Sequence, residues 1–217
     1  EAAKDVAAEF INGRPNDNIG ITLFAGETFT QCPLTVDHAV LLDMIHNIKC
    51  GLIEDGTAVG MGIANAVTRL KDSEAKSKVI ILLTDGTNNK GDISPLTAAE
   101  IAKSFGIRVY TIGVGTNGMA PYPYPVGNTV QYVSMPVEID EKTLTQIAGT
   151  TDGNYFRATS NSKLKEVYEE IDKLEKTKLN VKEYSKRDEE YQWFALAAFL
   201  CVLLEVLLRN SILKNIP

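Results

Sequence analysis

Little in this chain of 217 residues suits covalent or redox catalysis. It has three cysteines, Cys32, Cys50 and Cys201, and none shows the C-x-x-C spacing of a metal or redox site. A Cys32–Cys50 disulfide stays open, although a chain of this length does not need one. Cys201 sits in an apolar run and reads as inert. The two histidines, His38 and His46, fall on one predicted helix with no nucleophile beside them, so a structural role is expected. There is no G-x-S-x-G elbow and no H-E-x-x-H pair. No G-x-x-x-x-G-K-[ST] loop occurs, so the chain is not expected to be an ATPase itself. With 22 basic and 28 acidic residues the formal charge is −6, which counts against nucleic acid as a partner. The first residue is Glu1 and no signal peptide precedes the first apolar helix pattern, so a piece of a longer protein is expected.

What is present alternates between two periods. Ala3, Val6, Ala7, Phe10 and Ile11 recur at helical spacing. Ile19–Ala25 and Thr28–Thr35 read as strands, the second placed at a sheet edge by Pro33. Val36–Lys49 reads as a helix, and the loop "CGLIEDGTAVG" leads into another that runs to about Leu70. Val79–Leu83 is a run of five apolar residues that reads as a strand buried on both faces. A helix near Pro95–Phe105, a strand Ile107–Gly115, and a Pro-, Gly- and Tyr-rich loop to about Pro136 follow. The pattern closes with a helix stopped by Gly149, a short strand Asn154–Ala158 and a helix Ser162–Lys176. Such alternation predicts an α/β fold with a mostly parallel, Rossmann-like sheet, whose binding site lies beyond the carboxyl ends of the strands.

The remainder differs in kind. Residues 177–190 form a charged spacer, and 191–209 are apolar around the whole helix circumference, with 210–217 as a short tail. At 1.5 Å per residue, Tyr191–Leu208 reaches about 27 Å, close to a bilayer's hydrocarbon thickness. Tyr191 and Trp193 would mark one interface, Arg209 and Lys214 the other. Glu205, four positions before Arg209, can pair with it or snorkel. A transmembrane helix is therefore expected, with its orientation left open by flanking charges of one sign on both sides.

Several motifs compete for the segment "KVIILLTDGTNNKGD". The D-x-D-G-T phosphatase nucleophile would fall on Leu83, which cannot attack. A Ca²⁺ loop starting at Asp85 would put Lys90 at the sharp-turn glycine and Leu96 at the bidentate acid. "GVGTNG", Gly113–Gly118, matches a dinucleotide fingerprint, but "MAPYPYPVG" after it cannot open the required helix. Oxygen ligands remain: Thr57 in the loop "EDGTAVG" and Asp85 at a strand end. Helix capping competes for Thr57, and capping or an Asx-turn for Asp85.

These two loops together resemble the von Willebrand factor A domain. In that family a metal-ion-dependent adhesion site draws on a D-x-S-x-S motif, a threonine in a second loop and an aspartate at a later strand end. Thr57 matches the threonine and Asp85 the aspartate, while "EIDEKTLTQIAGTTDGNYFRATSNSKLKEVYEEI" is similar to the closing helix–strand–helix. The likeness covers residues 1–176. Together with "FAGETFTQCPLT", "APYPYP" and the apolar terminal segment, it is close to BatA-type membrane proteins of the Bacteroides aerotolerance group. No D-x-S-x-S occurs in the chain, so the resemblance implies that the first central strand and the remaining ligands lie upstream of Glu1. It further implies a non-enzymatic module holding Mg²⁺ or another divalent cation, weakly or not at all in this piece. Its partners would be an acidic side chain of a protein ligand, sibling Bat-type proteins and a MoxR-type AAA+ ATPase. The setting would be a bacterial inner membrane with the domain in the periplasm. The alternatives are a metal-dependent hydrolase or phosphatase using Asp85, and a scaffold whose metal site is inactive.

Overall fold

Two buried apolar runs set the centre of the fold. The computed structural model describes residues 2–49, 51, 54–115, 118–126, 129–137, 139–185, 196–199 and 201–202. In it, β3 (Lys78–Thr84) and β4 (Ile107–Val114) pair in parallel from Lys78↔Ile107 to Thr84↔Gly113. A shorter strand, β7 (Tyr155–Ala158), pairs in parallel with the far side of β4. Alternate residues of β3 serve opposite faces. Ile80 and Leu82 pack with α3 (Val59–Leu70), α4 (Pro95–Ser104) and α5 (Glu141–Thr150) through Ile63, Val67, Ala99 and Ile147. Val79, Ile81 and Leu83 pack on the other face, where Tyr110 and Ile112 meet Phe10 of α1 (Ala2–Asn12) and Leu164 and Ile171 of α6 (Asn161–Ser185). Fully burying one such side chain is worth roughly 1.5–3 kcal/mol, so this unbroken apolar run can only be a strand covered on both sides.

The mostly parallel sheet expected from the alternation is present as β3, β4 and β7, and the other described strands stand in two separate antiparallel ladders. β1 (Ile19–Phe24) and β2 (Thr28–Thr35) form an antiparallel pair of their own over a third core of Ile11, Cys32, Leu41 and Ile45. Leu41 and Ile45 belong to α2 (His38–His46), which starts two residues later than expected because Asp37 caps it, accepting from the Val40 N–H. Cys32 is a buried free thiol, and Cys50 lies outside the described residues.

The largest difference is in residues 118–137. A loop was expected, and a hairpin is found: β5 (Gly118–Val126) pairs with β6 (Thr129–Val137) through nine consecutive antiparallel partners. Proline is a strand breaker only where its missing N–H would have joined the ladder. Pro121, Pro123, Pro125 and Pro136 all fall in one register class, facing Ser134, Tyr132, Val130 and Met119. The other class, from Gly118↔Val137 to Val126↔Thr129, contains no proline. Antiparallel ladders exchange hydrogen bonds at alternate pairs only, so the second class carries them and the prolines turn their nitrogens outward.

The chain divides into two compact units, 1–176 and 177–217. Among the described residues no helix is long and apolar enough to cross a membrane. The expected span, 191–209, lies outside the described residues except for 196–199 and 201–202, which are helical.

Candidate metal centre

The carboxyl ends of β1 and β3 are joined by the loop before α3. The Ala58 N–H donates to the Ala25 carbonyl at 2.7 Å and the Gly26 N–H to Glu54 at 2.8 Å, which fastens the loop to the end of β1. On its other side Asn89 grips Thr57 twice. Its Oδ1 accepts from the Thr57 N–H at 2.8 Å, and its own N–H donates to the Thr57 carbonyl at 3.0 Å. Asn88 accepts from the Val59 N–H at 2.9 Å. The "TDGTNN" turn after β3 and the Thr57 loop therefore form one hydrogen-bonded assembly. Close backbone contact reinforces it, since a Cβ placed on Gly60 would stand 2.0 Å from the Ile93 carbonyl oxygen. Lys90 and Glu54 add an exposed ion pair at 3.4 Å, a contact of small energetic weight.

Within this assembly the two expected ligands come to the same place. Asp85 directly follows Thr84, the last residue of β3. The Thr57 hydroxyl lies 3.3 Å from where a Cβ on Gly86 would stand, which puts it beside the Asp85–Gly86 peptide. The structural alternatives for both residues fall away. The residue capping α3 is Ala58, with no side-chain bond, so Thr57 is not the cap. Asp85 is exposed, and among the described residues neither its carboxylate nor the Thr57 hydroxyl has a hydrogen-bond partner. The turn itself is held by Thr84, whose hydroxyl lies 3.3 Å from both the N–H and the carbonyl of Gly86.

One neutral hydroxyl and one carboxylate are hard oxygen donors, right in kind for Mg²⁺ or a similar cation. They are few in number. Among the described residues no three His, Cys, Asp or Glu side chains gather as a metal cluster. Residues Asn88 and Asn89, which position the threonine, could not be recognised from spacing, because an "NN" following "DGT" reads simply as turn.

The other sequence candidates stay apart from this site. His38 Nε2 lies 2.9 Å from the Asp17 carbonyl and His46 Nδ1 2.7 Å from that of Leu42, both structural contacts. "GVGTNG" ends β4 and leads into β5 rather than a helix, with Gly115 at φ +105° where the chain turns off the sheet.

Comparisons with known proteins bear on the family. Residues 1–170 match the von Willebrand factor type A domain. An uncharacterised protein of Borreliella burgdorferi is 26% identical over 217 residues, covering 100% of this chain and 64% of its own length. A UPF0353 protein of Nocardia farcinica is 31% identical over 190 residues, covering 79% of this chain and 55% of its own length. The chain thus spans little more than half to two thirds of these relatives. Among solved structures, BatB from Bacteroides thetaiotaomicron is 33% identical with a TM-score of 0.69, covering 80% of this chain and 87% of that one. An aerotolerance-related membrane protein from Bacteroides fragilis is 29% identical with a TM-score of 0.69, covering 80% and 86%. Proximal thread matrix protein 1 of the mussel byssus, described with a zinc-occupied MIDAS motif, is 25% identical with a TM-score of 0.60, covering 80% and 39%.

Proposed function

The chain belongs to the von Willebrand factor type A family, and from that premise we propose that it is a non-enzymatic module that captures a protein partner through a divalent cation. The observation that carries this reading is that exposed Asp85, whose carboxylate has no hydrogen-bond partner among the described residues, precedes the Gly86 that lies against the Thr57 hydroxyl, at the carboxyl edge of a parallel sheet. A strand end is the right place for such a ligand, because the sheet fixes its direction and the loops leave it reachable. Asp85 supplies the negative charge and Thr57 a neutral oxygen. A cation held this way keeps net positive charge and an exchangeable position, which an acidic side chain of the partner can fill. Water completes the remaining oxygen positions that a hard cation requires. Mg²⁺ fits the donor set, and the zinc-occupied site of the mussel protein supports a divalent ion in this fold.

Structural likeness to BatB and to the aerotolerance-related membrane protein supports a Bat-type setting. In that setting the apolar segment 191–209 is the anchor in a bacterial inner membrane and the domain faces the periplasm. The partners are sibling Bat-type membrane proteins and a MoxR-type AAA+ ATPase, in a complex linked to aerotolerance or envelope stress.

Capture of the partner by the intact protein is expected in Mg²⁺ and lost in EDTA; equal capture in both would remove the cation from the account. Placement is tested separately. Protease added to spheroplasts is expected to digest the domain without lysis, and digestion only after lysis would contradict the periplasmic assignment.

A further inference from the structure

The hairpin at 118–137 has two outer edges that differ chemically. All outward-facing positions belong to the register class that holds the four prolines. Along β5 the outward positions 121, 123 and 125 are prolines and of that class only Met119 keeps an N–H, so three consecutive outward positions present carbonyls with no N–H to match them. A strand cannot zip onto it, which is a natural means of blocking an edge. Along β6 the outward positions Val130, Tyr132 and Ser134 keep their N–H groups, and only Pro136 lacks one. The hairpin is a two-stranded sheet, with no third strand on β6 among the described residues. An isolated two-stranded hairpin is at best marginally stable in water, so the unblocked edge calls for a partner.

We propose that the β6 edge pairs with the β6 edge of a second copy of this chain. The spacing is self-complementary about Tyr132. In an antiparallel arrangement around a two-fold axis there, Val130 of one copy exchanges N–H···O bonds with Ser134 of the other, Ser134 with Val130, and Tyr132 with Tyr132. Every outward N–H of β6 is then used, and Pro136 falls just outside the paired stretch and ends it. Charge points to a like partner. The whole stretch 118–137 contains no charged residue, in a chain that carries −6. Nothing there would select an acidic or basic segment, and nothing would repel an identical hairpin. The blocked β5 edge has a complementary consequence, because pairing through β6 alone closes at two copies instead of growing into a fibre.

The test uses the full chain in detergent micelles, with mass measured by sedimentation. Tyr132→Pro removes the central outward N–H while leaving the hairpin's own ladder intact, as Pro123 opposite does already. Wild type is expected to be a dimer at micromolar concentration, and Tyr132→Pro to raise the dimer Kd by at least about tenfold, equivalent to about 1.4 kcal/mol. Hydrogen exchange on unaltered protein gives an independent reading. The amides of Val130, Tyr132 and Ser134 should be slow in the dimer and fast on dilution, while those of Gln131, Val133 and Met135, which the hairpin's own ladder holds, should lose less protection on dilution. EDTA should leave the dimer intact, which separates this pairing from the cation-dependent capture proposed above. A wild-type monomer, a dimer indifferent to Tyr132→Pro, or a dimer dissolved by EDTA would overturn the proposal.

Discussion

Asp85→Ala is expected to abolish cation-dependent partner capture by the intact protein while its melting temperature stays within about 2 °C of wild type. The two halves of that expectation have separate causes. Asp85 is exposed and makes no hydrogen bond among the described residues, so its removal leaves no buried group unpaired. Surface changes of this kind fall within about ±0.5 kcal/mol of neutral, and in a domain this size about 1 kcal/mol corresponds to roughly 2–4 °C. For binding, the same carboxylate is the charged ligand that the proposed site assigns beside Thr57. Losing even an outer-shell group at a metal site typically costs 10–100-fold, so loss of the charged ligand should weaken capture by about 100-fold or more. Thr57→Ala should act in the same direction with a smaller effect, since it removes a neutral oxygen. Capture by Asp85→Ala at the wild-type level, with Mg²⁺ present and EDTA still inhibitory, would move the ligand role to another residue.

The second large effect lies at the opposite end of the sheet, where the cost is in stability. Glu175, 4% exposed, accepts from the Tyr110 hydroxyl at 2.6 Å and the Ser77 hydroxyl at 2.8 Å, and pairs with the Arg108 guanidinium. Ser77 directly precedes β3, Arg108 and Tyr110 lie in β4, and Glu175 belongs to α6, so one carboxylate fastens this helix to the sheet. Glu175→Ala removes the acceptor that Arg108 and the wholly buried Tyr110 share. Breaking a buried pair from one side costs roughly 3–5 kcal/mol, or about 6–20 °C at roughly 2–4 °C per kcal/mol. Glu175→Gln should lose less, because an amide oxygen still accepts from the hydroxyls. A fall below about 2 °C for the alanine variant would show that the network does not secure α6.

The same residue gives a signed pH dependence. Burial alone would raise the Glu175 pKa, but hydrogen bonds from Arg108, Tyr110 and Ser77 outweigh it and hold the carboxyl below its ordinary value. A depressed folded-state pKa means a stability contribution complete above the unfolded value of about 4.3 and lost as pH falls through the folded value. Thermal melts should therefore show wild type losing stability over that acidic interval, while Glu175→Gln shows a smaller loss there.

Legibility in the sequence followed the range over which each feature acts. The strand Val79–Leu83 declared itself because it packs on two faces, and its end at Thr84 marked Asp85 as a rim residue. Thr57 was identifiable only through the family pattern; by position alone a helix cap competed strongly, and the Ala58 cap geometry removes that alternative. The hairpin at 118–137 was hidden by its own prolines. A proline scale penalises them singly, whereas the ladder depends on their shared register class, which requires knowing the partner strand. The Glu175 network joins Ser77, Arg108 and Tyr110 across up to 98 positions of sequence, beyond the reach of any local pattern. Nor could spacing foresee that β1 and β3 would stand in separate ladders, because each strand's pattern reports its burial and not its neighbour.

The central claim is that Thr57 and Asp85 together face a divalent cation, and paramagnetic Mn²⁺ addresses it at the residues themselves, even where affinity is weak. Titrated into isotope-labelled chain 1–217, Mn²⁺ is expected to broaden the amide signals of Thr57, Asp85 and Gly86 first, at concentrations that leave α6 sharp, and Asp85→Ala should abolish that selective broadening. Signals at 57, 85 and 86 that survive while acidic surface elsewhere broadens would contradict it.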